Sequence, residues 1–86
     1  MQQTKKSVIL NSLAKTVKRL RGSKSQYKLG AEYDIPPSIL SDIERAAREP
    51  KLITLLKLSA SFNMSFSSFA KEFEKDLPEN FSVCDE

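Results

Sequence analysis

Apolar residues recur along this chain at helical spacing, while strand-like alternation is scarce. Leu10, Leu13, Val17 and Leu20 step by three, four and three, the stripe of an amphipathic helix, and Gly22 stops it. Ser25 suits the N-cap of a second helix with Leu29 and Tyr33 facing inward, and Asp34 tolerates the left-handed conformation that ends a helix. Pro37 suits the first position of a third helix, and it forces Pro36 into the extended geometry of a cap. Ile39, Leu40 and Ile43 form that helix's buried side. A loop through Pro50 leads to a fourth helix carrying Leu52, Leu55, Leu56, Leu58 and Phe62, which Asn63 ends. Ser65 caps a fifth, with Phe66, Phe69 and Phe73 on one face. Pro78 closes that helix, and the residues after it are expected to fray. The pattern predicts an all-α protein of five short helices, without repeats or an internal linker.

Length and composition narrow the class. Eighty-six residues make one small domain, and 40% hydrophobic with 29% charged residues describe a folded, water-facing chain. No apolar run approaches the ~20 residues of a membrane helix. After Lys5 and Lys6 come only Val8, Ile9 and Leu10 as an apolar stretch, too few for a secretory signal. The single cysteine, Cys84, has no internal disulfide partner, and a reduced, cytoplasmic setting is expected. There is no histidine, no Gly-rich phosphate loop and no metal-ligand spacing, so neither an enzyme nor a metal or cofactor site is expected.

The net charge of +3 conceals a division. Residues 1–28 hold eight Lys/Arg and no acid, whereas residues 29–86 hold six against all eleven acids. Such polarity suits one face that meets a polyanion, although a solvated basic helix would look the same.

A more specific pattern runs without a gap from Ser25 to Phe69. It comprises Ser25-Gln26, Leu29, Ile35, Ser38, Leu40-Ser41, Ile43-Glu44-Arg45, Arg48, Pro50, Leu52, Thr54 to Leu58, Ser65 and Phe69. The stretch "SDIER…REPKLITLLKL" is its strongest part. In these residues the chain resembles the Cro/repressor-type (XRE) helix-turn-helix family. The resemblance implies a compact five-helix bundle of the lambda-repressor-like DNA-binding type over residues 1–77, with its core match at 25–69 and a polar tail at 78–86. Some positions depart from the family. The "GSK" turn is shorter than usual, the small residue expected inside the second helix is Gly30, at a cost of about 1 kcal/mol relative to alanine, and Asp34 and Ala46 stand where glycine is usual. A left-handed alanine costs about 1–2 kcal/mol, so the third helix is expected to run on into Ala46 or Ala47.

The resemblance also assigns roles. The third helix, about 37–46, would lie in the major groove, with Pro37, Ser38 and Asp42 at base-reading positions and Ser41 on the same exposed side. Ser25 and Gln26 would offer the second helix's N-terminus to a phosphate, with Lys24 and Lys28 beside it. For Ser25 a plain N-cap is an equal reading. Arg45, Arg48 and Lys51 flank the loop where the family meets the backbone, while Glu44 and Arg45 have a rival role bracing neighbouring helices. Phe62, Phe66 and Phe69 match core positions, leaving Phe73 as the candidate contact of a homodimer. The expected function is a sequence-specific double-stranded DNA-binding transcriptional regulator. The alternative is an antitoxin-like or other protein-binding helical module with weak DNA binding.

Overall fold

The computed structural model describes residues 4–84. Thr4 caps α1 (Lys5–Arg21) by accepting the Ser7 N–H at 3.0 Å, and Gly22 ends it at φ 58°, a conformation natural to glycine. Ser25 caps α2 (Gln26–Tyr33), Pro36 and Pro37 open α3 (Pro37–Glu44), Lys51 precedes α4 (Leu52–Ser61), and Ser65 caps α5 (Phe66–Asp76). Among the described residues there is no strand, and no helix is long and apolar enough to cross a membrane.

Every helix contributes to one buried cluster. Leu13 and Val17 of α1, Leu29 of α2, Leu40 and Ile43 of α3, Leu58 of α4 and Phe69 of α5 meet there, joined by Ile35 from the turn between α2 and α3. Each such side chain contributes about 1.5–3 kcal/mol by leaving water. Phe62 stacks on Phe69 with ring centroids 6.3 Å apart. At the far end, Asp76 accepts the Thr16 hydroxyl at 2.6 Å and Arg19 at 2.9 Å, which ties α5 to α1.

The aromatic end departs from expectation. Phe66 is 40% exposed and so stands outside the core, because it is the first residue of α5 and lies at the cluster's edge. Phe73 is half-buried and packs against the cluster. Both line an open apolar groove of about 560 Å³, with Ile9 and Leu10 of α1 on its other side. α4 packs mainly against α2 and α5, leaving Leu52, Ile53 and Leu56 at 65%, 61% and 46% exposure. The tail does not simply fray: Phe81 N–H bonds back to Pro78, and Lys5 Nζ donates to the Ser82 and Cys84 carbonyls at 2.6 Å.

Helix ends explain the largest local surprise. α3 stops at Glu44 instead of continuing, and Ala46 adopts the left-handed conformation at φ 58°. Two hydrogen bonds repay the strain, Ala46 N–H to Ile43 at 3.1 Å and Ala47 N–H to Asp42 at 2.8 Å. These are the paired bonds of a Schellman stop. α4 ends in the same way, with Asn63 N–H on Ala60 and Met64 N–H on Ser59. At Asp34 the Ile35 N–H returns to the Gly30 carbonyl at 2.8 Å. A Cβ on Gly30 would sit 2.1 Å from the Ile35 carbonyl oxygen, so this tight return requires glycine.

These two positions make opposite predictions. Ala46→Gly relieves left-handed strain and is expected to raise stability by about 0.5–1 kcal/mol, net of glycine's greater freedom when unfolded. Gly30→Ala should lose stability despite alanine's helix propensity, which favours it by about 1 kcal/mol. Denaturant midpoints at constant slope measure both.

Candidate nucleic-acid interface

The candidate interface is organised around a buried acid. Glu44, at the end of α3, is only 5% exposed. Its carboxylate takes Arg21 Nε at 2.5 Å and Nη2 at 2.8 Å, and Gln26 Nε2 at 2.9 Å. Arg21 also donates Nη1 to the Lys24 carbonyl at 2.7 Å. One cluster thus joins the end of α1, the short turn, the start of α2 and the end of α3. Burial pushes the Glu44 carboxyl up, but the Arg21 and Gln26 hydrogen bonds, with the charges of Arg21 and Lys18, outweigh it and hold it below the usual carboxylate range. The bracing role expected for Glu44 is its role here. Arg45 does not share it, being exposed and turned toward Asp42.

The expected phosphate contacts divide into engaged and exposed groups. Ser25 Oγ accepts the Lys28 N–H at 3.0 Å, a true N-cap. The earliest N–H groups of a helix lack intrahelical acceptors, so this end of α2 keeps its positive polarity. The Gln26 side chain is committed to Glu44, which leaves its backbone as the group to offer a phosphate. Lys24 pairs with Glu32 at 2.5 Å. Lys28 stands exposed. Arg48 and Lys51 line one depression of about 240 Å³ with Pro36 and Ile39, beside Lys57, which pairs with Asp34 at 3.6 Å.

On α3, Leu40 and Ile43 fix the inner side, while Pro37 and Ser38 are exposed and Ser41 and Asp42 half-exposed. Asp42 is not an unpaired acid. Arg45 Nη2 bonds to one carboxylate oxygen, and Arg48 bonds to the other through Nε at 3.3 Å and Nη2 at 3.2 Å. Its readiness to accept from a base is correspondingly reduced.

Two features escaped the sequence pattern. Arg21 was one cation among eight, although a buried acid demands a partner and the end of the first helix is where one was available. Lys15 and Lys18 of α1 line a depression of about 450 Å³ together with Arg45, extending the basic surface beyond the helix-turn-helix itself.

The family model described as helix-turn-helix matches residues 17–69. The chain belongs to the XRE-type helix-turn-helix family. The five helices of the described residues form the lambda-repressor-like fold, and the matched segment is a DNA-binding helix-turn-helix domain. The match begins at Val17 and therefore takes in Arg21 as well as Glu44. No curated protein and no solved structure matches the chain. Among the described residues no group of three His, Cys, Asp or Glu could hold a metal ion.

The Glu44 cluster gives this helix-turn-helix an acid-sensitive brace. Because the folded carboxyl is held low, its contribution is complete above the ordinary Glu value of about 4.3 and is lost as pH falls through and below it. Glu44→Gln is expected to cost about 3 kcal/mol at neutral pH, as it leaves Arg21 partly buried without a counter-charge. It should also flatten the acid limb of stability against pH. A limb as steep as the parent's would assign acid sensitivity to Asp76 and Glu72 instead.

Proposed function

We propose that this protein is a sequence-specific double-stranded DNA-binding transcriptional regulator acting in the cytoplasm, with α3 in the major groove and the N-terminus of α2 on the backbone. The helix-turn-helix match over residues 17–69 carries the reading, since every candidate contact from Lys24 to Lys51 falls inside it. Lys28, Arg48 and Lys51 supply phosphate contacts, and Lys15 and Lys18 extend the positive field. The base-facing set is sparse. Pro37 offers only apolar contact, suited to a thymine methyl, and Ser38 bonds to any base. Backbone contacts and DNA shape therefore supply most of the discrimination.

Selection from random duplexes should enrich a two-fold symmetric site. On that site Lys28→Ala and Lys51→Ala should each lower the slope of log affinity against log salt by about 0.9. Lys24→Ala should lower it less, because Lys24 already pairs with Glu32. Weak, sequence-blind binding would favour the antitoxin-like, protein-binding reading. One observation supports that alternative: the exposed Leu52, Ile53 and Leu56 of α4.

A homodimer would place two α3 helices on one operator. Two apolar surfaces could form the contact, the α5 face at Phe73 and the α4 stripe. Ile53 is exposed, so Ile53→Asp is expected to give folded monomers by sedimentation, whereas Phe73→Asp should destabilise the core. A folded, monomeric Phe73→Asp beside a dimeric Ile53→Asp would return the contact to α5.

A further inference from the structure

We propose that Asp42 is a positioning residue, holding Arg45 and Arg48 as a paired guanidinium fork that engages the DNA backbone. The proposal rests on the DNA-binding reading and assigns Asp42 a role other than base reading. The acid stands in the last turn of α3, at the negative end of the helix dipole, where local energetics disfavour it. Its partners explain its presence. One carboxylate oxygen holds Arg45, and the other holds Arg48 at 3.2–3.3 Å.

The backbone serves the same arrangement. The Asp42 carbonyl accepts the Ala47 N–H at 2.8 Å, closing the left-handed turn at Ala46. That turn carries the chain back over the end of α3, so residues three and six positions later reach one side chain. Without the early stop at Glu44, a continuing helix would carry Arg48 away from Asp42. Main chain and side chain of one residue thus fix both cations.

Donors remain for a phosphate. Arg45 meets Asp42 only through Nη2, and Nη1 of Arg48 is not used on Asp42. A guanidinium carries five N–H donors, so each arginine can bind the carboxylate and an anion together. The carboxylate also offsets the mutual repulsion of two adjacent cations. Arg48 shares its depression with Lys51 and with Pro36 at the start of α3, which continues the basic edge along the helix that would enter the groove.

Asp42→Asn keeps the shape and removes the charge. Two effects oppose each other in this variant. Losing an acid by itself strengthens attraction to DNA, whereas freeing two arginines costs an ordered phosphate contact. If positioning dominates, the salt slope on a selected duplex falls by about 0.9. Over the decade from 1 M to 0.1 M salt this compounds to binding about eightfold weaker at 0.1 M, with parent and variant converging at high salt. In the free proteins the Arg48 Nε–H should exchange with solvent faster in the variant than in the parent. In an Arg45→Ala, Arg48→Ala background the Asn substitution should cause no further weakening.

Tighter binding with a steeper slope would overturn the proposal and make Asp42 a repulsive guard, since relief of like-charge repulsion is greatest at low salt. A changed preference at one base pair with an unchanged slope would overturn it in favour of base reading. Equal Arg48 exchange rates would refute the pairing itself. Absence of salt-dependent binding by the parent protein to any duplex would instead sink the DNA reading, and the proposal with it.

Discussion

The pair between Glu44 and Arg21 governs how the rest of the molecule can be used, because it connects three helices through one desolvated carboxylate. Hydrophobic contacts pull α1, α2 and α3 together but do not orient them, since dispersion and burial are indifferent to direction. A bidentate guanidinium with a third bond from Gln26 is directional. It sets the end of α3 against the start of α2, and so fixes how α3 lies relative to the end of α2 that the proposed reading puts on the DNA backbone. The interaction is also one that cannot be half kept. Removing either partner leaves the other charge partly buried, a loss larger than the net worth of the intact pair.

The charge division in the sequence looks different once pairing is known. Of the eight cations in residues 1–28, Lys6 pairs with Glu49, Arg19 with Glu72 and Asp76, Arg21 with Glu44, and Lys24 with Glu32. With Lys5 on the Ser82 and Cys84 carbonyls, more than half of the basic segment is therefore already engaged within the protein. The acids of the later segment are not all a separate negative end, since several are these partners. On the proposed DNA-binding reading, what remains for a polyanion is narrower than the raw count suggested, and it is centred on Lys28, Lys51, Lys15 and Lys18, with Arg48 held by Asp42 beside them.

Much of the fold was legible because its determinants are local. Ser25 and Ser65 cap by short side-chain bonds, Pro37 opens a helix, and Asp34 and Asn63 end helices in a conformation they tolerate. Ala46 was misread for an instructive reason. The cost of a left-handed alanine is local and visible in the sequence, whereas the two bonds that offset it exist only once the chain has turned. Phe66 was misplaced because periodicity gives a face and not a depth, and the first residue of α5 lies beyond the core's rim. At the interface, position identified the outward residues of α3, but it could not show that Asp42 spends its charge on two neighbours. Long side chains choose partners by reach, and reach is set by tertiary structure.

On the proposed DNA-binding reading, these facts converge on rigidity. A recognition helix that presents Pro37, Ser38 and an already paired Asp42 gains little from base edges, since discrimination of about 1–3 kcal/mol per base comes from well-formed bidentate pairs. Discrimination must then come from how readily each sequence deforms to fit the protein, a term of order 1–6 kcal/mol for a bent site. That term reports sequence only if the protein does not adapt in place of the DNA. A loosely joined α2 and α3 would follow the duplex and erase the difference between sites. The Glu44 cluster prevents this by fixing the spacing between the phosphate-binding end of α2 and the far end of α3, and the turn built on Asp42 fixes the cations beyond it. The sparse reading face and the braced scaffold are consequently two aspects of one strategy, in which selectivity arises from the stiffness of the reader.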